Sequence, residues 1–284
     1  MSRPPNPEPR TPKSPNRQSS IFNLQLFAHR GASHDAPENT LAAFRLGWQQ
    51  GADGMECDVY LSRDRRIVCI HDATTQRTAG INHRVASSTW PILRKLDVGR
   101  WKGPQWTGER IPLLADVLAE LPRGKRIQIE IKSTPKIIPV LVPLLRKVPN
   151  YRQRVLVIAF DPRVVRALKR AAPDIRALWL TAYHRLPGGV AAPVTPKRPR
   201  EGGWRPSPAE IIKTLTTTRA DGLGSQSHRA LTPTLARTLR THGFLLYVWT
   251  VDHPATARRL ARLGATGIAT NRPAHLRKGL KEET

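Results

Sequence analysis

The apolar and polar positions along the chain predict short buried strands that alternate with amphipathic helices. Residues 24–29 form the first apolar run, which stops at an Arg-Gly turn. Residues 55–61 alternate between apolar and polar side chains, so Glu56 and Asp58 lie on the same face of a strand. Two carboxylates on one strand face are close enough to chelate one cation.

A hairpin is expected directly after this second strand. The next apolar run, residues 67–70, follows a gap of only residues 62–66, which is too short for a parallel crossover. The chain must therefore double back, and the return arm carries His71 towards the same end of the molecule. Cys57 and Cys69 lie on the two arms. We expect buried free thiols, because nothing else in the sequence indicates an oxidising compartment.

The rest of the chain continues the alternation of helix and strand. Residues 73–110 hold several turn residues and are expected to pass over the domain as a lid or a cleft wall. A strand at residues 126–132 presents Glu130 and Lys132 on its polar face. Further strands are expected at residues 155–160, 177–181, 221–224, 245–250 and 267–270. Helices are expected at residues 40–50 (capped by Asn39), 112–121, 139–147, 162–172, 209–217, 234–242, 255–263 and from 273 onward, with a loop at 187–208.

Without the return arm of the hairpin, this pattern contains eight strands that alternate with helices. It predicts an α/β fold: a single (β/α)8 TIM barrel with a short hairpin and loop excursion after strand 2. The length of 284 residues suits one large α/β domain or two small ones. The active site of such a barrel lies at the C-terminal ends of the strands. Residues at or just beyond such ends are His29, Asp58, Lys132, Phe160 and Thr250.

The first 20 residues differ in composition from the rest of the chain. They are rich in Pro, Ser, Asn and Arg and have almost nothing apolar to bury, so we expect a disordered basic tail at residues 1–20. The barrel domain then occupies residues 21–284. The tail lacks the apolar segment of a secretory signal, and no apolar run approaches the length of a membrane span. The expected location is therefore the cytoplasm.

The formal net charge of +26 is unevenly distributed. Residues 21–120 carry 12 basic and 11 acidic side chains, whereas residues 121–205 carry 19 basic and 4 acidic ones. Such a surface attracts polyanions and anionic lipid headgroups, which favours a peripheral contact with an anionic membrane. The alternative is that the source organism simply favours arginine. No nucleic-acid-binding motif is visible, so no specific nucleic acid is expected as a partner, and the oligomeric state stays open.

Several short motifs together carry a resemblance to a known family. The motifs are His29-Arg30-Gly31-Ala32, Pro37-Glu38-Asn39-Thr40, Glu56-Cys57-Asp58-Val59, His71-Asp72, Ile129-Glu130-Ile131-Lys132, Ala159-Phe160-Asp161, Val248-Trp249-Thr250-Val251 and Gly267-Ile268-Ala269-Thr270-Asn271. In order and spacing, from near Phe27 to near Pro273, the chain resembles the glycerophosphodiester phosphodiesterase family. Each motif alone is weak, but the ordered set is specific, and the resemblance implies a TIM barrel that hydrolyses a phosphodiester.

Three carboxylates are the candidate ligands of one divalent cation. Glu56, Asp58 and Glu130 offer oxygen ligands without histidine, which suits Mg²⁺ or Ca²⁺ better than Zn²⁺. The resemblance implies a metal at the same three positions. The alternative is a set of strand-end salt bridges with Lys132 or Arg30.

The two histidines are the candidate proton-transfer groups. His29 and His71 are imidazoles, which titrate near neutrality, so one can deprotonate the nucleophile while the other protonates the leaving alkoxide. The sequence does not say which is the acid and which the base. Arg30 and Lys132 are expected to bind the phosphate oxygens. Glu38 is a supporting residue that either orients a histidine or accepts a hydrogen bond from Arg30. The alternative is that its carboxylate only stabilises the start of a helix through the helix dipole.

Trp249 and Phe160 are the candidate residues of the substrate pocket. Trp249 matches a residue that the family uses in the cleft wall, and the alternative is a tryptophan that fills the barrel core. The expected reaction is metal-dependent hydrolysis of glycerophosphodiesters to an alcohol and sn-glycerol 3-phosphate. One alternative is a lysophospholipase D that releases lysophosphatidic acid. An alternative of another class is a basic barrel scaffold that binds anionic lipid or nucleic acid.

Overall fold

The computed structural model describes residues 24–183 and 206–282, in which one nine-stranded sheet is formed. The predicted tail at residues 1–20 lies outside the described residues, as does most of the predicted loop at 187–208. The strands are β1 (Gln25–His29), β2 (Gly54–Leu61), β3 (Ile67–Cys69), β4 (Arg126–Ile131), β5 (Val155–Ala159), β6 (Arg176–Thr181), β7 (Gly222–Gln226), β8 (Leu245–Trp249) and β9 (Gly267–Thr270).

The sheet closes into a barrel because β1 pairs with both β9 and β2. Around the barrel the order is β1, β9, β8, β7, β6, β5, β4 and β2, and all these pairings are parallel. β3 pairs antiparallel with β2 as the return arm of the predicted hairpin. In the part of the chain that the structure describes, the predicted (β/α)8 barrel is therefore confirmed. Cys57 and Cys69 are buried free thiols on the two arms, as expected.

Helices cover the outside of the barrel, and several begin at clear sequence signals. The side chains of Asp161, Ser207 and Thr232 cap three of them, each followed by a proline in the first turn. The helices are α1 (Leu41–Gln49), α2 (Gln76–Ala79), α3 (Trp90–Leu93), α4 (Leu114–Ala119), α5 (Ile138–Arg146), α6 (Tyr151–Arg154), α7 (Pro162–Ala171), α8 (Pro208–Thr218), α9 (Pro233–Thr241), α10 (Pro254–Arg262) and α11 (Pro273–Lys281).

The start of α1 differs from the prediction. Asn39 was expected as the N-cap, but the cap is Thr40, whose Oγ1 accepts from the backbone N–H of Ala43 at 3.2 Å. Asn39 instead has a left-handed backbone, with φ of 57°. Asparagine tolerates this conformation better than most residues. The turn directs the Asn39 side chain into the barrel mouth, where it forms hydrogen bonds with Asp58.

The barrel interior is closed at its N-terminal end by aromatic rings. The rings of Phe27 and Tyr247 have centroids 5.7 Å apart. Glycines on the neighbouring strands leave room for them: a Cβ at Gly54 or at Gly267 would lie 2.3 Å from the adjacent ring. Aliphatic side chains fill the next level, and the outward faces of the strands pack on the helices. The polar interior side chains of β2 and β4 therefore gather at the C-terminal end.

The excursion after β3 is more ordered than the predicted loop. It contains α2, α3 and short 3-10 turns, and it packs around its own small core with β3. That core contains Val68, Ile70, Val85, Leu93, Leu96, Val98 and Ile111. The excursion also contacts the loop after β1, because Lys102 Nζ donates to the carbonyl of Ser33 at 2.7 Å. It therefore forms one wall of the barrel mouth.

Across residues 24–183 and 206–282, we find no helix whose length and apolar character would let it traverse a bilayer.

Candidate active site

Three buried carboxylates meet at the C-terminal end of the barrel. Glu56 and Asp58 project from β2, and Glu130 of β4 is the register partner of Asp58. One oxygen from each residue lies within 4.8 Å of the others. The side chains are buried, with only 2%, 0% and 7% of these residues exposed in chain order. The alternation in the sequence predicted this grouping.

Two basic side chains enter the same cluster. Lys132 Nζ lies 3.2 Å from Asp58 Oδ1 and 2.5 Å from Glu130 Oε1. Arg30 Nε lies 3.2 Å from Asp58 Oδ2. The salt bridges considered as the alternative to a metal are thus present. Three carboxylates thus face only two positively charged side chains, Arg30 and Lys132, so the cluster retains a net negative charge when all three carboxylates are ionised.

Asn39 adds neutral hydrogen bonds to the most buried carboxylate. Its Nδ2 donates to Asp58 Oδ2 at 2.9 Å, and its Oδ1 accepts from the Asp58 backbone N–H at 3.1 Å. Burial alone would raise the pKa of Asp58. The charges of Lys132 and Arg30 outweigh burial and hold that pKa well below its usual range. Asp58 is therefore ionised without any further cation.

Glu56 is in a different situation from Asp58. Its Oε2 accepts from the backbone N–H of Arg30 at 2.9 Å. Its Oε1 is buried and has no hydrogen bond among the described residues. Burial, followed by repulsion from Asp58 and Glu130, raises the pKa of Glu56 well above its ordinary value. An unpartnered buried oxygen beside two other carboxylates fits a site for a hard divalent cation.

His29 lies at the end of β1, beside Glu56 in the sheet register. Its Nδ1 is 2.8 Å from Asn271 Oδ1, and its Nε2 is 4.0 Å from Glu56 Oε2. Burial, followed by the nearby charge of Arg30, lowers the pKa of His29 to about 4. His29 is therefore a neutral imidazole at neutral pH, with Nε2 directed towards the carboxylates.

His71 approaches from the return arm, where Ile70 N–H donates to the carbonyl of Asp58 at 3.0 Å. The Nδ1 of His71 is 2.7 Å from Asp72 Oδ1. The hydrogen bond from His71 is the main cause of the low pKa of Asp72. The hairpin therefore delivers the second imidazole to the site, as predicted, with a carboxylate behind it.

Arg77 of α2 joins the two sides of this site. Its Nε donates to Asp72 Oδ2 at 2.7 Å, and its two terminal nitrogens donate to the Glu38 carboxylate at 2.7 and 2.9 Å. Glu38 also accepts from Arg30 Nη1 at 3.0 Å, which is the contact the sequence suggested. The ring of Trp101 packs against Arg77, with the guanidinium carbon 5.9 Å from the ring centre.

Phe160 and Trp249 occupy the opposite side of the mouth. Their rings meet edge to face, with centroids 5.5 Å apart, and Lys132 Nζ lies 5.9 Å from the Phe160 ring centre. Trp249 also packs on the aliphatic interior, as the core-filling alternative required. Its indole Nε1 is nevertheless buried without a hydrogen-bond partner among the residues described. The ring therefore packs in the barrel and still offers one free donor.

Some polar residues of this site had no role in the sequence-based prediction. Asn39 was interpreted as a helix cap, and Asn271 was noted only as part of a motif. Arg77 has no distinguishing sequence pattern, and neither has Asp252, which accepts from Asn271 Nδ2 at 2.9 Å, since each contacts the site only through tertiary packing. Their recognition required the register of β9 against β1 and the path of the excursion.

The barrel and its mouth define the class of protein. A buried carboxylate cluster with two basic side chains and two imidazoles at the C-terminal mouth of a (β/α)8 barrel is suited to phosphodiester hydrolysis. A family model described as the glycerophosphoryl diester phosphodiesterase family matches residues 29–275. The chain belongs to this family of hydrolases.

Individual relatives match over most of their length. A glycerophosphodiester phosphodiesterase from Caldanaerobacter subterraneus is 32% identical over 253 residues, covering 87% of this chain and 94% of the relative. A human protein named lysophospholipase D is 27% identical over 275 residues, covering 92% and 87%. An Oleispira antarctica phosphodiesterase, solved with the product sn-glycerol-3-phosphate, superimposes with a TM-score of 0.77 at 23% identity, covering 94% of this chain and 99% of that one. This last similarity concerns the fold.

Proposed function

We propose that this chain hydrolyses glycerophosphodiesters to an alcohol and sn-glycerol 3-phosphate. The observation that carries the proposal is the position of the buried carboxylate cluster, which lies beside His29 and at the same barrel mouth as His71. The names of the relatives support the substrate class, and the Oleispira antarctica structure contains the corresponding product.

Glu56, Asp58 and Glu130 would hold one divalent cation, Mg²⁺ or Ca²⁺. All donors are carboxylate oxygens, which hard cations prefer, and the partnerless Oε1 of Glu56 gives the cation a ligand that no described side chain uses. When bound, such an ion neutralises a phosphate oxygen and lowers the barrier to nucleophilic attack. It would also balance the excess negative charge that Arg30 and Lys132 leave.

The two imidazoles divide the proton transfers between them. His29, which is neutral at neutral pH, acts as the general base: its Nε2 accepts the proton of the attacking water. His71, hydrogen-bonded to the Asp72 carboxylate, acts as the general acid and gives its Nε2 proton to the leaving alkoxide oxygen. The P–O bond to the alcohol breaks as the new P–O bond forms.

The remaining residues bind and orient the phosphate. Arg30 and Lys132 contribute permanent positive charge beside the reacting centre, and Glu38 holds the guanidinium of Arg30 in place. Phe160 and Trp249 form the apolar wall, with the Trp249 N–H as a free donor. We also propose a cytoplasmic location with peripheral contact to anionic membranes, since the basic surplus favours such surfaces.

One observation favours lysophospholipids as a second substrate class. In the described part of the chain, the exposed large hydrophobic residues are Ile81, Ile92 and Trp101, with 52%, 42% and 43% of each exposed. All three belong to the excursion, and Trp101 contacts Arg77 at the mouth. An acyl chain needs apolar surface, and the Trp101 ring offers some beside Arg77.

The test is release of sn-glycerol 3-phosphate from glycerophosphocholine by the purified chain, with Mg²⁺, with Ca²⁺ and with EDTA. Metal-dependent release is expected, and Glu56→Gln is the matched inactive control. A parallel assay with lysophosphatidylcholine measures lysophosphatidic acid. Absence of product from both substrates by a folded protein would refute the proposal. Vesicle binding that falls with salt would then support a basic lipid-binding scaffold.

A further inference from the structure

We propose that Asp252 and Asn271 are positioning residues that fix the ring orientation and the tautomer of His29. The inference rests on the proposed function for its kinetic consequence, since His29 is the base in that reaction. Asp252 follows β8, Asn271 follows β9 and His29 ends β1, so three neighbouring strands bring these side chains together. Among the described contacts, neither Asp252 nor Asn271 bonds to the carboxylate cluster directly.

The Asp252 carboxylate is held by donors from the end of β9. Its Oδ1 accepts from Thr270 Oγ1 at 2.9 Å and from the backbone N–H of Asn271 at 2.7 Å. Its Oδ2 accepts from Asn271 Nδ2 at 2.9 Å. An ionised carboxylate can only accept hydrogen bonds, so the amide nitrogen of Asn271 must face Asp252.

This contact decides which atom Asn271 presents to His29. With Nδ2 on Asp252, the amide oxygen of Asn271 points to His29 Nδ1, 2.8 Å away. An amide oxygen only accepts, so Nδ1 must carry the proton. The neutral ring then has its lone pair on Nε2, the nitrogen that faces Glu56 and the reacting centre. Ser33 Oγ lies 3.0 Å from the same amide oxygen, but its single proton has the His29 carbonyl at 2.7 Å, so the orientation of Asn271 is set by Asp252.

Asp252→Asn tests the arrangement with a nearly isosteric change. The oxygen of the amide introduced at position 252 still accepts from Thr270 Oγ1 and from the backbone N–H of Asn271. Its nitrogen then faces the side-chain amide nitrogen of Asn271. Two donors cannot bond each other, so Asn271 flips and presents N–H to His29 Nδ1. The proton of the neutral imidazole then moves to Nε2, and the base loses its lone pair at the reacting centre.

We expect kcat of Asp252→Asn to fall with KM within about twofold of the parent. Loss of a supporting hydrogen bond typically costs about 10–100-fold, and a reversed tautomer in a serine protease costs about 10⁴-fold, so a loss of at least about tenfold is expected. The double variant Asp252→Asn with Asn271→Asp restores the pattern. The carboxylate is then at position 271, where it accepts both from the amide introduced at position 252 and from His29. Its kcat should recover relative to the single variant.

The control is Asp221→Asn, at the other end of the barrel. Asp221 also accepts from a backbone N–H, that of Ala177 at 2.7 Å, and from a side-chain donor, Lys169 Nζ at 2.9 Å. Asp221 is not part of the barrel mouth, so its variant should keep the parental kcat even where it lowers stability. Equal losses of kcat in both variants would indicate a general structural effect and would overturn the positioning role.

A second measurement does not depend on activity. Nitrogen-15 spectra of the metal-free protein report which ring nitrogen of His29 is protonated, with the His29→Gln spectrum identifying the signal. Protonated Nδ1 in the parent and protonated Nε2 in Asp252→Asn are expected. The same tautomer in both would overturn the inference. An inactive parent with the expected spectra would refute only the proposed function, so the two failures are distinguishable.

Discussion

Neutralising substitutions at two neighbouring carboxylates of the cluster should change the stability of the metal-free protein in opposite directions. In the metal-free protein, Glu56→Gln replaces a carboxyl group whose charged form lacks a hydrogen-bond partner at Oε1 and is repelled by Asp58 and Glu130. Asp58→Asn removes a charge that Lys132 and Arg30 both require. The first variant should therefore be more stable than the parent without metal, and the second should be less stable.

The magnitudes follow from what each side chain contacts. Breaking a buried ion pair by removing one partner costs about 3–5 kcal/mol, because the remaining charge stays buried. For a domain of this size, 1 kcal/mol corresponds to roughly 2–4 °C in Tm, so Asp58→Asn should lose roughly 6–20 °C. Relief of an unsatisfied buried oxygen is worth about 1 kcal/mol or more, so Glu56→Gln should gain roughly 2–4 °C.

The assay is thermal unfolding at neutral pH, first in EDTA and then with increasing Mg²⁺ or Ca²⁺. Metal binding to the folded state raises Tm of the parent, by an amount equivalent to about 2.7 kcal/mol at 100 times the dissociation constant. Glu56→Gln should lose most of this metal-dependent increase and all turnover. Glu56→Gln should thus be more stable than the parent in EDTA and less stable than the parent at saturating metal.

A decrease in Tm for Glu56→Gln in EDTA would refute the reasoning. It would mean that Glu56 has a cationic partner in solution, and that the cluster is a closed set of salt bridges without a place for a metal. Unchanged metal-dependent stabilisation in that variant would separately remove Glu56 from the ligand set.

Four further predictions concern other parts of the molecule. The pKa of Glu56 is raised above its ordinary 4.5, so the folded state keeps this proton to higher pH than the unfolded chain does. Stability in EDTA should therefore fall as the pH rises from 4.5 towards the pKa of the folded state. Curves of stability against pH with the same slope for the parent and for Glu56→Gln would contradict this. His29→Ala should abolish turnover while the circular dichroism spectrum stays parental, and near-normal rates would exclude His29. Arg77→Met should lower kcat about tenfold or more with less than about 1 kcal/mol change in stability, unlike the exposed control Arg100→Met, which should leave kcat unchanged. Deletion of residues 1–20 should leave turnover intact, and a large loss would give this segment an active role.

The strand pattern was predictable because the barrel imposes a simple rule on each strand. In β2 the alternation of apolar and polar residues placed Glu56 and Asp58 together, and the short gap before β3 required a hairpin. These are local consequences of strand geometry, which the sequence expresses directly. The same reasoning did not find α6, because a single helical turn between α5 and β5 has no periodicity to detect.

The polar residues that support the site were not predictable in the same way. Asn39 carries a strong local signal for a helix cap, and the neighbouring Thr40 takes that role, so the local preference pointed to the wrong residue. The contact between His29 and Asn271 joins residues 242 positions apart, and it exists only because β9 closes the barrel on β1. Such contacts depend on closure of the whole sheet.

The separate core of the excursion has a consequence for how this enzyme can diverge. Its apolar residues pack on one another and on β3, and the main core lies outside the barrel strands, beneath the covering helices. We therefore expect mutations in the excursion to change one wall of the barrel mouth with little effect on the barrel itself. Two side chains of the excursion restrict this freedom: Arg77, which bonds to Asp72 and Glu38, and Lys102, which bonds to the Ser33 carbonyl. We therefore expect the segment to be exchangeable, so that substrate preference can evolve, or be engineered by segment transfer, while the barrel and its carboxylate cluster stay unchanged.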